Sequence, residues 1–197
     1  MARRLREEVE GGIFHVFARG NRKQAIYLDD EDRHTYLRML GAVVAKRNWC
    51  CLAYCLMPNH LHLLIETPDA NLGIGMQWLH GLYAQTFNER HGRSGHLFQG
   101  RYGSVRVTTD AQLWMLVRYL AVNPVRAELC ERPADWRWSS HGAVAGSALP
   151  RWLDHSRLLQ YFAAAGGDPA ERYSSMVADD YLRGGSESAA RVRHTGE

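Results

Sequence analysis

His60 and His62 are separated by one residue, Leu61, in an apolar, β-prone stretch of the chain that runs from residue 60 to residue 66. Because side chains alternate between the two faces of a strand, both imidazoles would point to one side and Leu61 to the other. Two imidazoles on one face can bind the same metal ion. The alternative is that they are ordinary polar residues on an exposed face, and the pair alone leaves this open.

Tyr119 and Asn123 form a second candidate pair. They are four residues apart in a segment with helical spacing, so the phenol oxygen and the amide oxygen would share one helix face. Asn123 also precedes Pro124, and Asn-Pro is a typical cap and first turn of a helix. From the residues alone, the pattern favours Asn123 as the cap of a short helix that begins at Pro124.

A third candidate segment, residues 90–102, interleaves arginines, glycines and aromatic residues. Such a mixture can bind phosphates while its rings stack on unpaired bases, and we expect Tyr102 to stack in this way. A basic surface loop that leads into a strand is the alternative. The residues predicted to contact DNA are Arg19, Asn21, Arg93, His96, Gln99, Arg101, Tyr102 and Arg126.

Strands and helices alternate in the order needed to position these residues. Residues 13–20 predict a strand followed by a turn, and the acidic run 29–32 predicts the start of a helix that ends before Asn48. Residues 50–57 and 60–66 predict an antiparallel pair of strands. Apolar residues spaced between 76 and 87 predict a second helix, residues 104–109 a further strand, and Asp110 the cap of a third helix.

This order is the split βαβ pattern of an α+β ferredoxin-like sandwich, in which an antiparallel sheet carries helices on one face. We expect a domain over residues 1–140, a small C-terminal helical extension over 141–183, and a disordered tail over 184–197. The tail is polar, whereas the chain beyond Pro133 is rich in tryptophan (Trp136, Trp138 and Trp152), which indicates a small packed extension.

The composition of the 197 residues, 46% hydrophobic and 23% charged, is typical of a globular domain. Since the chain has neither a signal core nor a membrane-spanning run, we expect a cytoplasmic protein without a membrane partner. The spacing of the 4 cysteines predicts reduced, mostly buried thiols. Of the 24 basic residues, all but Lys23 and Lys46 are arginines, which suit phosphates but also follow from a high-GC genome.

Four segments stand out when they are taken together. They are Met-Pro-Asn-His-Leu-His-Leu-Leu (57–64), Gly-His-Leu-Phe-Gln-Gly-Arg-Tyr (95–102), Tyr-Leu-Ala-Val-Asn-Pro-Val-Arg-Ala (119–127) and Asp-Trp-Arg-Trp-Ser-Ser (135–140). In this order they resemble the REP-associated tyrosine transposases, a domesticated branch of the single-tyrosine HUH transposases in the IS200-like superfamily. The resemblance extends from Ile13 to about Ser140.

This resemblance implies a ferredoxin-like HUH fold and a nuclease that acts on single-stranded DNA near hairpins formed by palindromic repeats. By the match of motifs, His60 and His62 would be the HUH metal ligands, Tyr119 the nucleophile, and Asn123 the third ligand, where the wider family often has glutamine. The implied cofactor is Mg²⁺ or Mn²⁺. The implied intermediate is a 5′-phosphotyrosine, and a monomer is favoured, with a homodimer as the alternative.

Two other functions compete with a tyrosine nuclease. One is a non-catalytic protein, derived from a transposase, that binds a DNA hairpin; the joint presence of His60, His62 and Tyr119 argues against it. The other is a hydrolase with a metal-bound hydroxide. That chemistry normally needs further His, Asp or Glu ligands, and none are clustered after Glu66 and Asp69.

Overall fold

A four-stranded antiparallel sheet is the centre of the fold. The structure, a computed structural model, describes residues 9–146, 149–163 and 166–182. The strands are β1 (Gly12–Arg19), β2 (Cys50–Met57), β3 (His60–Thr67) and β4 (Gly103–Val107), and their order in the sheet is β2-β3-β1-β4. The helices are α1 (Asp30–Arg47), α2 (Leu72–Arg90), α3 (Asp110–Arg126), α4 (Ser140–Ala145), α5 (His155–Ala163) and α6 (Pro169–Leu182). This element order and sheet topology confirm the ferredoxin-like prediction.

Both faces of the sheet are covered, and β3 contributes alternate residues to each side. Leu61, Leu63 and Ile65 join the core formed with α1 and α2, whereas Leu64 joins a second core formed with α3, α5 and α6. A strand that is buried on both faces needs apolar residues at nearly every position. This explains why β2 is a continuous apolar run, and it places His60 and His62 on the α3 side.

The outer edge of β2 is covered by the segments that follow α3. The backbone N–H of Leu56 donates to the carbonyl oxygen of Trp138 at 2.9 Å, and the N–H of Asp154 donates to the carbonyl of Cys51 at 2.9 Å. The Ser140 hydroxyl accepts from the N–H of Tyr54 at 3.2 Å. These bonds satisfy backbone groups that an open edge would leave available for pairing with another chain.

The predicted end of β4 and the predicted start of α3 differ from the structure, in which β4 ends at Val107 rather than at residue 109. Helix α1 ends at Arg47, and Asn48 follows it in the left-handed conformation with φ 55°. The residue that caps α3 is Thr109, whose hydroxyl accepts from the N–H of Gln112, and Asp110 is already the first helical residue. The prediction that Asp110 is the cap was therefore wrong by one residue, because the side-chain oxygen of Thr109 can also cap a helix.

Helices α5 and α6 lie within the predicted extension and pack on the α3 side of the sheet. The division of the chain at residues 140 and 183 stays a prediction, and the expected tail, 184–197, lies outside the described residues. All 4 cysteines are free, with Cys51 and Cys55 buried and Cys50 and Cys130 partly exposed. Within the described ranges, no helix is both long and apolar enough to span a membrane.

Glu66 joins the extension to the sheet through a two-pronged ion pair. Nε and Nη2 of Arg157 on α5 donate to its two carboxylate oxygens at 3.0 and 2.8 Å, and Tyr161 donates to the same carboxylate at 3.2 Å. Glu66 is only 8% exposed. Loss of Arg157, its main hydrogen-bond donor, would therefore leave a buried carboxylate charge with too few hydrogen bonds.

We expect Arg157→Met to lower the free energy of unfolding by about 1–3 kcal/mol, the usual cost of an unsatisfied buried polar group. Chemical denaturation followed by circular dichroism measures this change. Arg151→Met is the matched control, because Arg151 is exposed. Equal midpoints for Arg157→Met and the wild type would show that the ion pair contributes nothing to stability.

Candidate metal and tyrosine site

The two histidines of β3 lie side by side on the α3 face of the sheet. Their ring centroids are 5.2 Å apart, with the ring planes nearly perpendicular at 86°. His62 is only 8% exposed, and His60 is half-buried at the start of the strand. The alternation of β3 thus brings the predicted pair to one face, as expected from the spacing.

One ring nitrogen of each histidine is already engaged, and in both cases it is Nδ1. Nδ1 of His60 lies 2.7 Å from the side-chain oxygen of Asn59. Nδ1 of His62 lies 3.0 Å from Nε2 of His15, on the neighbouring strand β1. Such contacts hold a ring and its tautomer so that Nε2 keeps its lone pair for a metal ion.

Burial keeps all three imidazoles neutral near pH 7. It lowers the pKa of His15 to about 4. Burial, assisted by the charge of Arg19, lowers the pKa of His60 to about 4. The pKa of His62 lies well below its ordinary value, chiefly through burial and then through His15 and His60. Neutral imidazole is the form that binds metals, because protonation would occupy the lone pair.

Helix α3 brings Tyr119 to His62. The Tyr119 ring packs edge-on against His62, with centroids 5.3 Å apart and an interplanar angle of 84°. Asn123 follows one turn later and is 9% exposed. The predicted cap role of Asn123 was wrong: α3 continues through Pro124 to Arg126, so Asn123 lies inside the helix. Since Pro124 lies in the last turn, its missing N–H removes one hydrogen bond without ending the helix.

The donor set fits a divalent cation that retains open positions. Among the described residues, Nε2 of His62 is buried and has no hydrogen-bond partner. An unpartnered buried polar atom is costly unless something else binds the group. Within the same residues, no group of three His, Cys, Asp or Glu side chains could hold a metal ion. Two imidazoles and one amide would therefore leave coordination positions for water and phosphate oxygens.

Two arginines lie within electrostatic reach of the Tyr119 hydroxyl. Burial raises the pKa of Tyr119, with a smaller contribution from Cys55, whereas Arg126 and Arg19 oppose this rise. Both guanidinium groups belong to exposed residues, Arg19 at the end of β1 and Arg126 at the end of α3. They therefore favour negative charge at Tyr119 and can also bind a phosphate that approaches it.

Backbone pairing brings several of the predicted DNA contacts to the same end of the sheet. The N–H of Gln99 donates to the carbonyl of Arg19 at 2.9 Å, and the N–H of Asn21 donates to the carbonyl of Leu97 at 2.8 Å. Arg19 is also the β1 partner of His60. Arg19 therefore lies beside His60, and the Leu97–Gln99 segment lies beside Arg19 and Asn21; the DNA-binding role of these segments stays a prediction.

The other predicted contacts differ in how accessible they are. Arg93, His96 and Arg101 are exposed on the segment between α2 and β4. Tyr102 is only 5% exposed and its ring lies edge-on to His80. The expectation that Tyr102 stacks on a base was wrong for this structure, because the ring is buried in the core formed with α1 and α2.

Sequence reasoning missed the contacts that anchor the segment after α2. Arg90 donates to both oxygens of Asp29 at 2.8 and 2.7 Å and also contacts Asp32. Nε2 of His91 lies 2.9 Å from the Asp32 carboxylate, which is 2% exposed. These contacts join the end of α2 to the start of α1. They therefore hold in place the beginning of the exposed basic segment between α2 and β4. The partners are about 60 positions apart, and the acidic run 29–32 gave no sign of them.

His15 is the other residue that the sequence analysis missed. It is 47 residues from His62 in the chain but directly contacts it across the sheet. The alternation of the first strand was the available signal, because His15 and the predicted DNA contact Arg19 are both on its outward-facing positions.

We expect His15→Phe to weaken Mn²⁺ binding about 10- to 100-fold, the usual cost of removing a group that orients a metal ligand. Long-range ¹H–¹⁵N spectra of the metal-free protein provide a second measurement, since they report which nitrogen of His62 carries hydrogen. Loss of the Nδ1–H form is expected in His15→Phe, and partial recovery in His15→Gln, which keeps an acceptor oxygen. Unchanged spectra and Mn²⁺ affinity in His15→Phe would contradict this role.

Comparison with known proteins identifies the family. A family model described as "Transposase IS200 like" matches residues 9–123, a range that contains His15, His60, His62, Tyr119 and Asn123. The chain belongs to the IS200-like transposase family. This IS200-like chain is 27% identical over 111 residues to a Haemophilus influenzae protein named a REP-associated tyrosine transposase. The match covers 50% of this chain and 63% of that relative, and it supports the resemblance inferred from the four motifs.

A solved structure of a REP-associated tyrosine transposase bound to a REP hairpin is similar to this IS200-like chain. The TM-score is 0.61 at 19% identity, and the match covers 76% of this chain and 89% of the other. At this identity the similarity bears on the fold, and it confirms the α+β architecture predicted from the sequence.

Proposed function

We propose that this IS200-like chain is a metal-dependent endonuclease and strand transferase for single-stranded DNA at palindromic-repeat hairpins. The observation that carries the proposal is the packing of the Tyr119 ring against His62, a histidine whose buried Nε2 has no partner among the described residues. A nucleophile and a cation site are then neighbours within one chain. The relative and the solved structure named above support the choice of hairpin DNA as the substrate.

The residues that would hold the cation are His60, His62 and Asn123. When bound, a divalent ion such as Mg²⁺ or Mn²⁺ supplies Lewis-acid polarisation of a non-bridging oxygen of the scissile phosphate. Asn59 and His15 keep the two imidazoles oriented through their Nδ1 contacts. The protein thereby fixes the ligand geometry before DNA arrives, which limits the ordering needed during the reaction.

Tyr119 is the nucleophile in this proposal. Its phenol oxygen forms a bond to the scissile phosphorus and releases its proton to solvent, while the bond from phosphorus to the 3′ oxygen breaks. The leaving oxygen takes up a proton and becomes a free 3′-hydroxyl, and the other strand end stays linked to Tyr119 through its 5′-phosphate. A phenol is a better leaving group than a sugar hydroxyl, so attack by a 3′-hydroxyl can reverse the step and rejoin strands.

Arginine side chains hold the strand during this exchange. Arg19 and Arg126 lie near Tyr119 and favour its charged form, opposing the effect of burial on its pKa. Along the exposed segment before β4, Arg93 and Arg101 add positive charge, and His96 and Gln99 add groups that can form hydrogen bonds. Since Tyr119 and the histidines meet within a single chain, a monomer can carry the complete site, which favours a monomer over a homodimer.

The test is incubation of the purified protein with a hairpin taken from palindromic repeats beside its gene, extended by single-stranded flanks. The strand is labelled at its 3′ end, and the reaction is run with Mn²⁺ or with EDTA on a denaturing protein gel. A metal-dependent band of protein bound to labelled DNA is expected, because the 5′-phosphotyrosine keeps the 3′ part of the strand. A 5′ label is expected in a free fragment.

Tight hairpin binding without any adduct or cleaved strand, in Mn²⁺ and in Mg²⁺, would contradict the nuclease and favour the non-catalytic DNA-binding function. Absence of hairpin binding would contradict both functions.

A further inference from the structure

Phe17 presents an aromatic ring at the surface directly beside the candidate metal site. It is 38% exposed on β1, where its neighbours across the sheet are His62 on β3 and Gly103 on β4. Directly paired residues of adjacent antiparallel strands have side chains on the same face. The Phe17 ring therefore lies next to His62, the residue against which Tyr119 packs.

The ring lies against β4 at Gly103, where there is no side chain. A Cβ atom at residue 103 would lie 2.4 Å from both Cε2 and Cζ of Phe17, a distance that no side chain tolerates. Glycine thus lets the ring lie close to the strand. His15 restricts the ring on another side, with centroids 5.3 Å apart. The ring is held in place while a large part of its surface stays open.

The surroundings of the ring are apolar and positively charged. Val105 follows Gly103 on the same face of β4 and is 57% exposed. Arg19 follows Phe17 on the same face of β1 and is exposed. An aromatic ring on a sheet, with a guanidinium group beside it, matches an unpaired nucleotide, whose base stacks while its phosphate meets the cation.

We propose that Phe17 is a stacking platform for the base of a nucleotide next to the scissile phosphate. The inference rests on the proposed function, because the strand must pass His62 and Tyr119 to reach Phe17. The platform holds the single-stranded flank of the hairpin in one register, which determines the phosphate that faces Tyr119.

Fluorescence of 2-aminopurine tests this proposal without cleavage. The base analogue is placed in turn at each position of the single-stranded flanks of the hairpin, and binding is measured in EDTA. In the wild type, stacking is expected to quench one position. Phe17→Leu is expected to abolish this quenching and to weaken binding about 5- to 100-fold, the range for loss of one stacked base. Phe17→Tyr is expected to restore both.

Two controls connect the effect to stacking. An abasic site at the quenched position is expected to remove the difference in affinity between the wild type and Phe17→Leu. Leu28→Ala removes an apolar residue that is 46% exposed in the segment before α1, and wild-type quenching and affinity are expected. Equal thermal unfolding of the variants excludes loss of folding as the cause.

If Phe17→Leu shows wild-type quenching and affinity, the stacking role of Phe17 is wrong. The proposed function would not be contradicted by this result, because the protein still binds the hairpin. If the wild type does not bind the hairpin, the proposed function fails and the platform fails with it.

Discussion

Tyr119→Phe is expected to lower strand cleavage by at least about 1,000-fold and to remove the covalent adduct, since the attacking oxygen is absent. Hairpin affinity is expected to stay close to that of the wild type, because the ring that packs against His62 is kept. Cleavage is measured on denaturing gels and affinity by fluorescence anisotropy. The separation of these two quantities distinguishes a nucleophile from a residue that contributes only to DNA binding.

Tyr161→Phe is the control for this prediction. Tyr161 is another partly buried tyrosine, and its hydroxyl donates to Glu66 rather than facing the histidines. The Tyr161→Phe variant is expected to cleave DNA at the wild-type rate. An adduct that persists in Tyr119→Phe would mean that another residue is the nucleophile.

His62→Ala is expected to weaken Mn²⁺ binding in the hairpin complex by more than about 100-fold, and cleavage is expected to fall with it. The loss of a direct ligand should exceed the 10- to 100-fold cost known for residues that only orient a ligand. His60→Ala is expected to have the same effect. Electron paramagnetic resonance of free Mn²⁺ measures the affinity, so the result does not depend on activity.

The His60→Ala variant is needed because His62 also packs against Tyr119 and His15. His60 lies at the start of β3 and is half-buried, so its loss disturbs packing less. His155→Gln, an imidazole on α5 that packs against Tyr173, is the control and is expected to bind Mn²⁺ like the wild type. Wild-type Mn²⁺ affinity in both His60→Ala and His62→Ala would exclude this metal site.

The sequence predicted the relative placement of the candidate residues where a short period determines geometry, and their roles stay predictions. Alternation in β3 was enough to place His60 and His62 on one face, and helical spacing was enough to place Tyr119 and Asn123 one turn apart. The same reasoning predicted the order of strands and helices along the chain, which the structure confirms. Neither the strand alternation nor the helical spacing indicated that α3 would pack against β3. The resemblance to a known family implied this contact.

The errors concern residues whose environment depends on distant parts of the chain. Asn123 has the local pattern of a cap, but packing of α3 on the sheet keeps the helix intact through Pro124. Tyr102 is next to an exposed arginine, yet it packs against His80 from α2. The contact between His15 and His62 joins two strands that are separated by a helix and another strand. Local composition carries little information about any of these contacts.

Mapping the covalent adduct tests the central claim most directly. Cleavage by trypsin after Arg118 and Arg126 releases the peptide Tyr-Leu-Ala-Val-Asn-Pro-Val-Arg, which contains Tyr119 as its one tyrosine. After the reaction with hairpin DNA and Mn²⁺, followed by nuclease and trypsin digestion, mass spectrometry is expected to find this peptide with a nucleotide joined through its 5′-phosphate. A nucleotide on a different peptide, or cleaved DNA with no modified peptide, would contradict the proposal that Tyr119 is the nucleophile.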